Sequence, residues 1–272
     1  MGVYLRPESL DEAVDALASQ PLTILAGGTD FYPARVGRAI ADDIIDVSRI
    51  AGLRGVAETE DAWRIGAATT WTDLLDAELP PLFDGLRLAA REIGGVQIQN
   101  MGTLGGNLCN ASPAADGTPC LLSLDAAVEL VSARGTRRLD VAEFVLGNRR
   151  TARRADEILT SIIVPKPARA ARATFLKLGA RRYLVISIVM VAAVVERAVD
   201  GTIAGARIAV GACAETARRL PALERDLVGT REAAITDAHL EPLAPIDDVR
   251  GAAAYRRDAA RTLVARALQA LA

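Results

Sequence analysis

Two short stretches hold the residue types that could bind an anionic cofactor. Residues 102–116, GTLGGNLCNASPAAD, contain three glycines, two asparagines, Thr103, Ser112, Pro113 and a closing Asp116. Residues 25–30, LAGGTD, have the same character in miniature. Glycine lacks a Cβ, so the chain there can take positive φ and let a ligand come close to the backbone amides. Successive N–H groups in such a turn form a concave nest suited to an anion, and Thr29, Thr103, Asn107, Asn110 and Ser112 add side-chain donors. Charge-assisted hydrogen bonds are stronger than neutral ones, so converging donors could hold a diphosphate and its sugars without a lysine. Asp30 is the odd member, because a carboxylate repels phosphate. It suits a sugar hydroxyl, a neighbouring amide or a purely structural turn. Paired glycines after a strand are by themselves most often plain turns, but a bare turn seldom needs this many polar residues over such a length. The long segment suits neither a helix nor an extended strand, and it reads as a polar loop.

The flanking elements must position these loops. Ser9 with Glu12 is a capping-box pair opening a helix whose apolar stripe is Leu10, Ala13, Val14 and Leu17. PLTILAGG reads as a strand ending in the first glycine pair, with DDIIDVSRI and WRIGAATTW as further strands. WTDLLDAELP and PLFDGLRLAAREIG read as helices leading into the long loop. Beyond it, TPCLLSLDAAVELV reads as a short helix passing into a strand, and EILTSIIVP as another strand. The basic, proline-bearing PKPARAARA marks a domain boundary, giving units 1–168 (two lobes, about 1–55 and 56–168) and 169–272. In the second unit, TFLKLG, VISIVMVAAVV and TIAGARIAVGAC read as strands followed by helices, an α+β unit with helices on one face of an antiparallel sheet.

Composition excludes several classes. The 272 residues carry 32 Lys plus Arg against 34 Asp plus Glu, a formal charge of -2, which gives no electrostatic reason to expect nucleic acid. Three cysteines, Cys109, Cys120 and Cys213, form no C-x-x-C pair, so neither a disulfide framework nor a metal centre built by this chain is expected. They read as small buried hydrophobes in a reducing cytoplasm. The run LVISIVMVAAVV, 184–195, is too short to span a bilayer. No G-x-x-x-x-G-K-[ST] occurs. Pro113 and Pro119 interrupt the helix that a Rossmann unit needs after GTLGGN. With His239 as the single histidine, read as a surface residue in TDAHLEP, no Ser/His/Asp arrangement is possible.

LAGGTD, then MGTLGGNLCNASPAAD with LLSLDAAVEL, then FLKLGARRYLVISIV and PIDDVRGAAAYRRDAARTLVARAL, resemble the FAD-binding medium subunits of the molybdenum hydroxylases, the xanthine dehydrogenase, carbon monoxide dehydrogenase and aldehyde oxidase family. The resemblance covers nearly the whole chain. It implies an α+β protein with a two-lobed FAD-binding domain of the vanillyl-alcohol-oxidase type and a small α+β C-terminal domain. Motif by motif, it implies a first cofactor strip of Leu25, Ala26, Gly27, Gly28, Thr29 and Asp30. The second is Thr103, Gly105, Gly106, Asn107, Cys109 and Asn110, with Asp116 on a polar part of the cofactor. Ile93 and Leu159 match positions that pack against FAD. Lys177 matches a residue near the flavin ring, where its charge could stabilise a reduced, negatively charged flavin. Val185 stands where the family often carries an Asp.

The resemblance further implies noncovalent FAD, since the single histidine lies far from the loops. It implies partners as well: a small subunit with two [2Fe-2S] clusters and a large molybdopterin subunit, in a heterotrimer that can pair into a dimer of heterotrimers. Electrons would pass from the clusters through FAD to an external acceptor. Two alternatives stay open at this point. One is a stand-alone FAD-dependent oxidoreductase, for which Lys177 and Tyr183 are the nearest acid–base candidates. The other is a non-catalytic nucleotide-binding or scaffold subunit. The basic linker and RRTARR, 149–154, are candidate partner-contact surfaces.

Overall fold

A computed structural model describes residues 2–182, 184–231 and 233–272; Tyr183 lies outside the described residues. The chain opens with β1 (Tyr4–Leu5), α1 (Leu10–Ser19), β2 (Thr23–Leu25) and β3 (Ile44–Asp46). These strands form a parallel sheet in the order β1-β3-β2. Ser9 caps α1 by accepting from the Glu12 N–H, but the Glu12 carboxylate accepts from Glu8 rather than from Ser9, so only half of the expected box forms. Ala13, Val14 and Leu17 turn inward, as their spacing requires.

The second lobe has β4 (Val56–Glu58) and β5 (Ala62–Gly66), then the helices α2 (Trp71–Asp76), α3 (Asp84–Glu92), α4 (Val96–Met101), α5 (Leu104–Asn110) and α6 (Gly117–Ser123). After them come β6 (Ala127–Ser132), β7 (Gly135–Asp140), α7 (Val141–Phe144), the hairpin β8 (Val145–Gly147) and β9 (Arg150–Thr151), and β10 (Ile158–Pro165). The main sheet is antiparallel, in the order β4-β5-β10-β6-β7. The last strand of the lobe therefore closes between the two that flank the helices. Ile162 sits opposite both Ile65 and Val128, and all three are fully buried.

The long Gly-rich segment is not a loop throughout, contrary to its composition. Residues 104–110 form α5, with Thr103 as N-cap accepting the Gly106 N–H at 2.9 Å. Leu104 and Leu108, one turn apart, are fully buried and anchor the helix. Two glycines disfavour a helix by about 1 kcal/mol each, but burying two leucines returns about 1.5–3 kcal/mol apiece. Ala111, in the left-handed region at φ 46°, ends the helix.

Residues 166–170 connect β10 to a four-stranded antiparallel sheet, β11 (Ala171–Leu178), β12 (Val189–Arg197), β13 (Ile203–Gly211) and β14 (Arg218–Arg219), followed by α8 (Pro221–Leu227) and α9 (Ala253–Ala270). Both faces of this sheet are covered. Val189, Val191, Ala193 and Val195 join the core under α8 and α9, while Met190, Ala192 and Val194 join the core of the second lobe under α3 and α6. That is why β12 reads as an unbroken apolar run instead of an alternating one. The unit's own helices, α8 and α9, lie on one face of the sheet as expected, and helices of the preceding domain roof the other. His239, by contrast, is not a surface residue. It is 5% exposed, with Nδ1 accepting the Thr236 N–H and Nε2 facing Asp226 at 3.0 Å. Among the described residues, no helix is long and apolar enough to cross a membrane.

Candidate functional site

A cavity of about 660 Å³ opens between the first lobe and the helical layer of the second. One wall is the strip that leaves β2. Leu25, Ala26, Gly27, Gly28, Thr29 and Asp30 all line it, followed by Phe31. The opposite wall is the start of α5, where Thr103, Gly105, Gly106, Asn107, Cys109 and Asn110 face in. Ile93, after α3, and Leu159, in β10, supply apolar surface at the sides.

The two glycine strips contribute differently. Among the described residues, none of the backbone N–H groups of residues 27–31 donates a hydrogen bond. Five consecutive donors are thus left without a protein acceptor beside a cavity, half-exposed and open to an incoming ligand. Gly28 holds φ +69° within this run, and a Cβ on Gly27 would lie 1.7 Å from the Met101 carbonyl oxygen. Glycine is required here by close backbone approach.

At the second strip the donors are already used. Leu104 donates to Thr69 O, Gly105 to Ala67 O, Gly106 to Thr103 Oγ1 and Asn107 to Thr103 O. A Cβ on Gly105 would stand 2.7 Å from both the Cβ and the carbonyl oxygen of Ala67. This strip therefore provides a side-chain-free wall pinned against residues 67–71, not a second set of free amides.

A polar chain crosses from wall to wall. Asn110 Nδ2 donates to Asp30 at 3.0 Å, and Arg149 donates to Asn110 Oδ1. Of the three roles open to Asp30, the contact to a neighbouring amide is present. Arg149, Thr151 and Arg153 of the β8–β9 region also line the cavity, so part of the RRTARR run faces inward. Arg35 lines it too, paired bidentately to Asp42 and stacked 3.6 Å over Phe31. Composition suggested none of these arginines as cavity groups, because only the β8–β9 hairpin and the Phe31–Arg35 turn bring them there. Cys109 has its thiol pushed up to about 11 by burial, against the pull of Arg153.

Asp116 and Lys177 are not in the cavity wall. They meet each other at 2.7 Å, with both side chains 7% exposed, and join the start of α6 to β11. Ser187 donates to the other carboxylate oxygen at 2.6 Å. Burial pushes the Asp116 carboxyl up, while Lys177 and Ser187 favour its charged form. Val185 packs over Gly179, where an added Cβ would lie 2.4 Å from it. Among the described residues, no group of three or more His, Cys, Asp or Glu side chains could hold a metal ion.

An α+β chain with a glycine-walled cavity between its first two lobes has the build of a nucleotide-cofactor-binding protein. Residues 1–167 match the family described as FAD binding domain in molybdopterin dehydrogenase, and residues 174–271 match the CO dehydrogenase flavoprotein C-terminal domain. The chain belongs to this family of FAD-binding subunits of molybdopterin enzymes. It is 36% identical over 197 residues to the nicotinate dehydrogenase FAD-subunit of Eubacterium barkeri, covering 68% of this chain and 66% of that protein. It is 32% identical over 276 residues to the nicotine 6-hydroxylase medium subunit of Paenarthrobacter nicotinovorans, covering 97% and 95%. Among solved structures, a chain of carbon monoxide dehydrogenase from Hydrogenophaga pseudoflava superposes with a TM-score of 0.87 at 31% identity, covering 99% of this chain and 96% of that one.

The cavity fits FAD. The free amides at 27–31 suit phosphate oxygens, and the buried Oδ1 of Asn107, without a partner among the described residues, suits a hydroxyl donor. The side walls of Ile93, Ile98 and Leu159 suit apolar ring surface.

Proposed function

We propose that this chain is the electron-transfer subunit of a multi-subunit molybdenum hydroxylase, holding FAD noncovalently between Leu25–Asp30 and Thr103–Asn110. The observation that carries the reading is the run of five donor amides without acceptors at 27–31, which a diphosphate would satisfy with charge-assisted hydrogen bonds. When bound, FAD supplies the chemistry, accepting electrons singly and releasing them singly or as a hydride. The chain binds and orients the cofactor, and Ile93, Ile98 and Leu159 keep water from its apolar part.

Substrate oxidation belongs, in this reading, to a large molybdopterin subunit, and delivery of electrons to a small subunit with two [2Fe-2S] clusters. The relatives named as medium or FAD subunits support a heteromeric assembly, and we infer a heterotrimer or its dimer in the cytoplasm, consistent with three unpaired cysteines. Domain limits at 1–168 and 169–272 suit the short connection between β10 and β11. Asp116 and Lys177 enter this reading as the clasp behind the site, through their own ion pair.

The test is a visible absorption spectrum of the protein purified natively from its host. Flavin bands overlaid by broad iron–sulfur absorption, on a preparation of three polypeptides, are expected. A colourless protein that does not take up added FAD would overturn the reading.

A further inference from the structure

The cavity wall contains one cation with an unusual combination of properties. Arg149 lines the cavity, yet among the described residues it makes no ion pair; its side-chain partner is the neutral Asn110. Arg35, by contrast, is neutralised by Asp42, and Arg153 is tied to the carbonyl oxygens of Arg154, Ala155 and Glu157. Arg149 is therefore the cavity cation with the fewest competing ties.

Its position is built, not incidental. Arg149 sits in the left-handed region at φ 58°, where few non-glycine residues rest. Its N–H donates at 3.1 Å to the carbonyl of Ala111, itself left-handed at φ 46°. Two strained residues thus lock the β8–β9 turn onto the end of α5. The side chain is then carried to Asn110, whose amide is held in turn by Asp30 in the strip of free amides. One amide's width separates the guanidinium from the Asp30 carboxylate. The cation is thus tied through Asn110 to a member of the 27–31 strip and lines the same cavity.

We propose that Arg149 is the diphosphate clamp of this site, closing over an anion seated on the amides of residues 27–31, and that it makes the cavity select a dinucleotide flavin over one without a diphosphate. Asn110 is the positioning residue. In the protein alone it holds the guanidinium beside the nest, and an arriving diphosphate displaces that neutral contact with two charged oxygens. A planar guanidinium suits this exchange because it can bond two oxygens at once. The inference rests on the FAD reading and adds to it the residue that discriminates among flavins.

The experiment titrates the full chain, stripped of cofactor, with FAD, FMN and riboflavin, following flavin fluorescence at two or more salt concentrations. Arg149→Asn is the main variant, since asparagine tolerates the left-handed backbone. It is expected to weaken FAD binding about 10- to 100-fold, the range for losing a hydrogen bond to a charged group. Riboflavin affinity should change less than about twofold, because riboflavin carries no phosphate for the clamp to hold. The wild-type affinity for FAD should fall with salt more steeply than that of the variant. Arg149→Lys keeps the charge without the fork, and should keep the salt dependence while losing part of the affinity. It also serves if the asparagine variant fails to fold. Equal FAD affinity and equal salt dependence in wild type and variants would overturn the clamp while leaving the FAD reading intact. If the wild-type chain binds no FAD under any condition, the underlying reading falls, and the clamp with it.

Discussion

Replacing Lys177 by methionine leaves the Asp116 carboxylate in a domain interface without its cation. Both side chains are 7% exposed and bond at 2.7 Å, and after the change only Ser187 still donates to the carboxylate. Breaking a buried pair by removing one partner costs about 3–5 kcal/mol, because the other charge stays desolvated. At about 2–4 °C per kcal/mol for a chain near this size, that is a fall in Tm of about 6–20 °C. The pH dependence has a definite sign. Burial raises the Asp116 carboxyl above its unfolded value, and in Lys177→Met no ammonium opposes that shift. A group with a raised folded pKa favours the fold below its unfolded pKa, about 3.9, and that contribution is lost as pH rises through the folded value. The gap between variant and parent should therefore be small near pH 4 and reach its full size by pH 8. Asp116→Asn combined with Lys177→Met removes the stranded charge and should recover at least half of the loss. The assay is thermal unfolding of cofactor-stripped protein by circular dichroism at pH 4.5 and pH 8. A Tm for Lys177→Met within about 2 °C of the parent at pH 8 would refute the assignment of the pair as a buried clasp, as would a double variant no more stable than the single one.

Further outcomes follow from the glycine strips. Gly27→Ala puts a Cβ 1.7 Å from the Met101 carbonyl oxygen. It should lower stability by about 1–3 kcal/mol and abolish retention of FAD through gel filtration; full retention would contradict the close-approach argument. Gly105 and Gly106 are neighbours in α5 but should respond unequally. Gly105→Ala collides with the Ala67 backbone and Cβ and should destabilise by about 1–3 kcal/mol, read as the midpoint of urea unfolding. Gly106→Ala meets only the capping Thr103 Oγ1, 2.8 Å away, and its gain in helix propensity of up to about 1 kcal/mol offsets part of the cost of moving that cap, so its midpoint should fall less. The reverse order would refute the packing of α5 on residues 67–71.

The sequence alone determined the local commitments. The glycine pairs at 27–28 and 105–106 marked places where the backbone approaches something closely. The Ser9 cap and the Leu10–Leu17 stripe specified α1, and the apolar run at 184–195 specified a buried strand, because each of these signals lies within a few residues of the structure it causes. The motif resemblance carried the family, and with it the contact strips that line the cavity. Tertiary structure decided what depends on distant partners. The segment 104–110 became a helix because Leu104 and Leu108 reach a core that the other strands and helices build, outweighing its own glycines. The same docking consumed the amides of 104–107 and left those of 27–31 free, a distinction that two similar glycine-rich strings do not carry. Asp116 found Lys177 across 61 positions of sequence, and His239 was buried against Asp226. Arg149 was aimed into the cavity by a hydrogen bond between two left-handed residues far apart in the chain. Hydrogen-bond satisfaction and charge pairing are properties of the folded whole, whereas backbone freedom and apolar period belong to each stretch by itself.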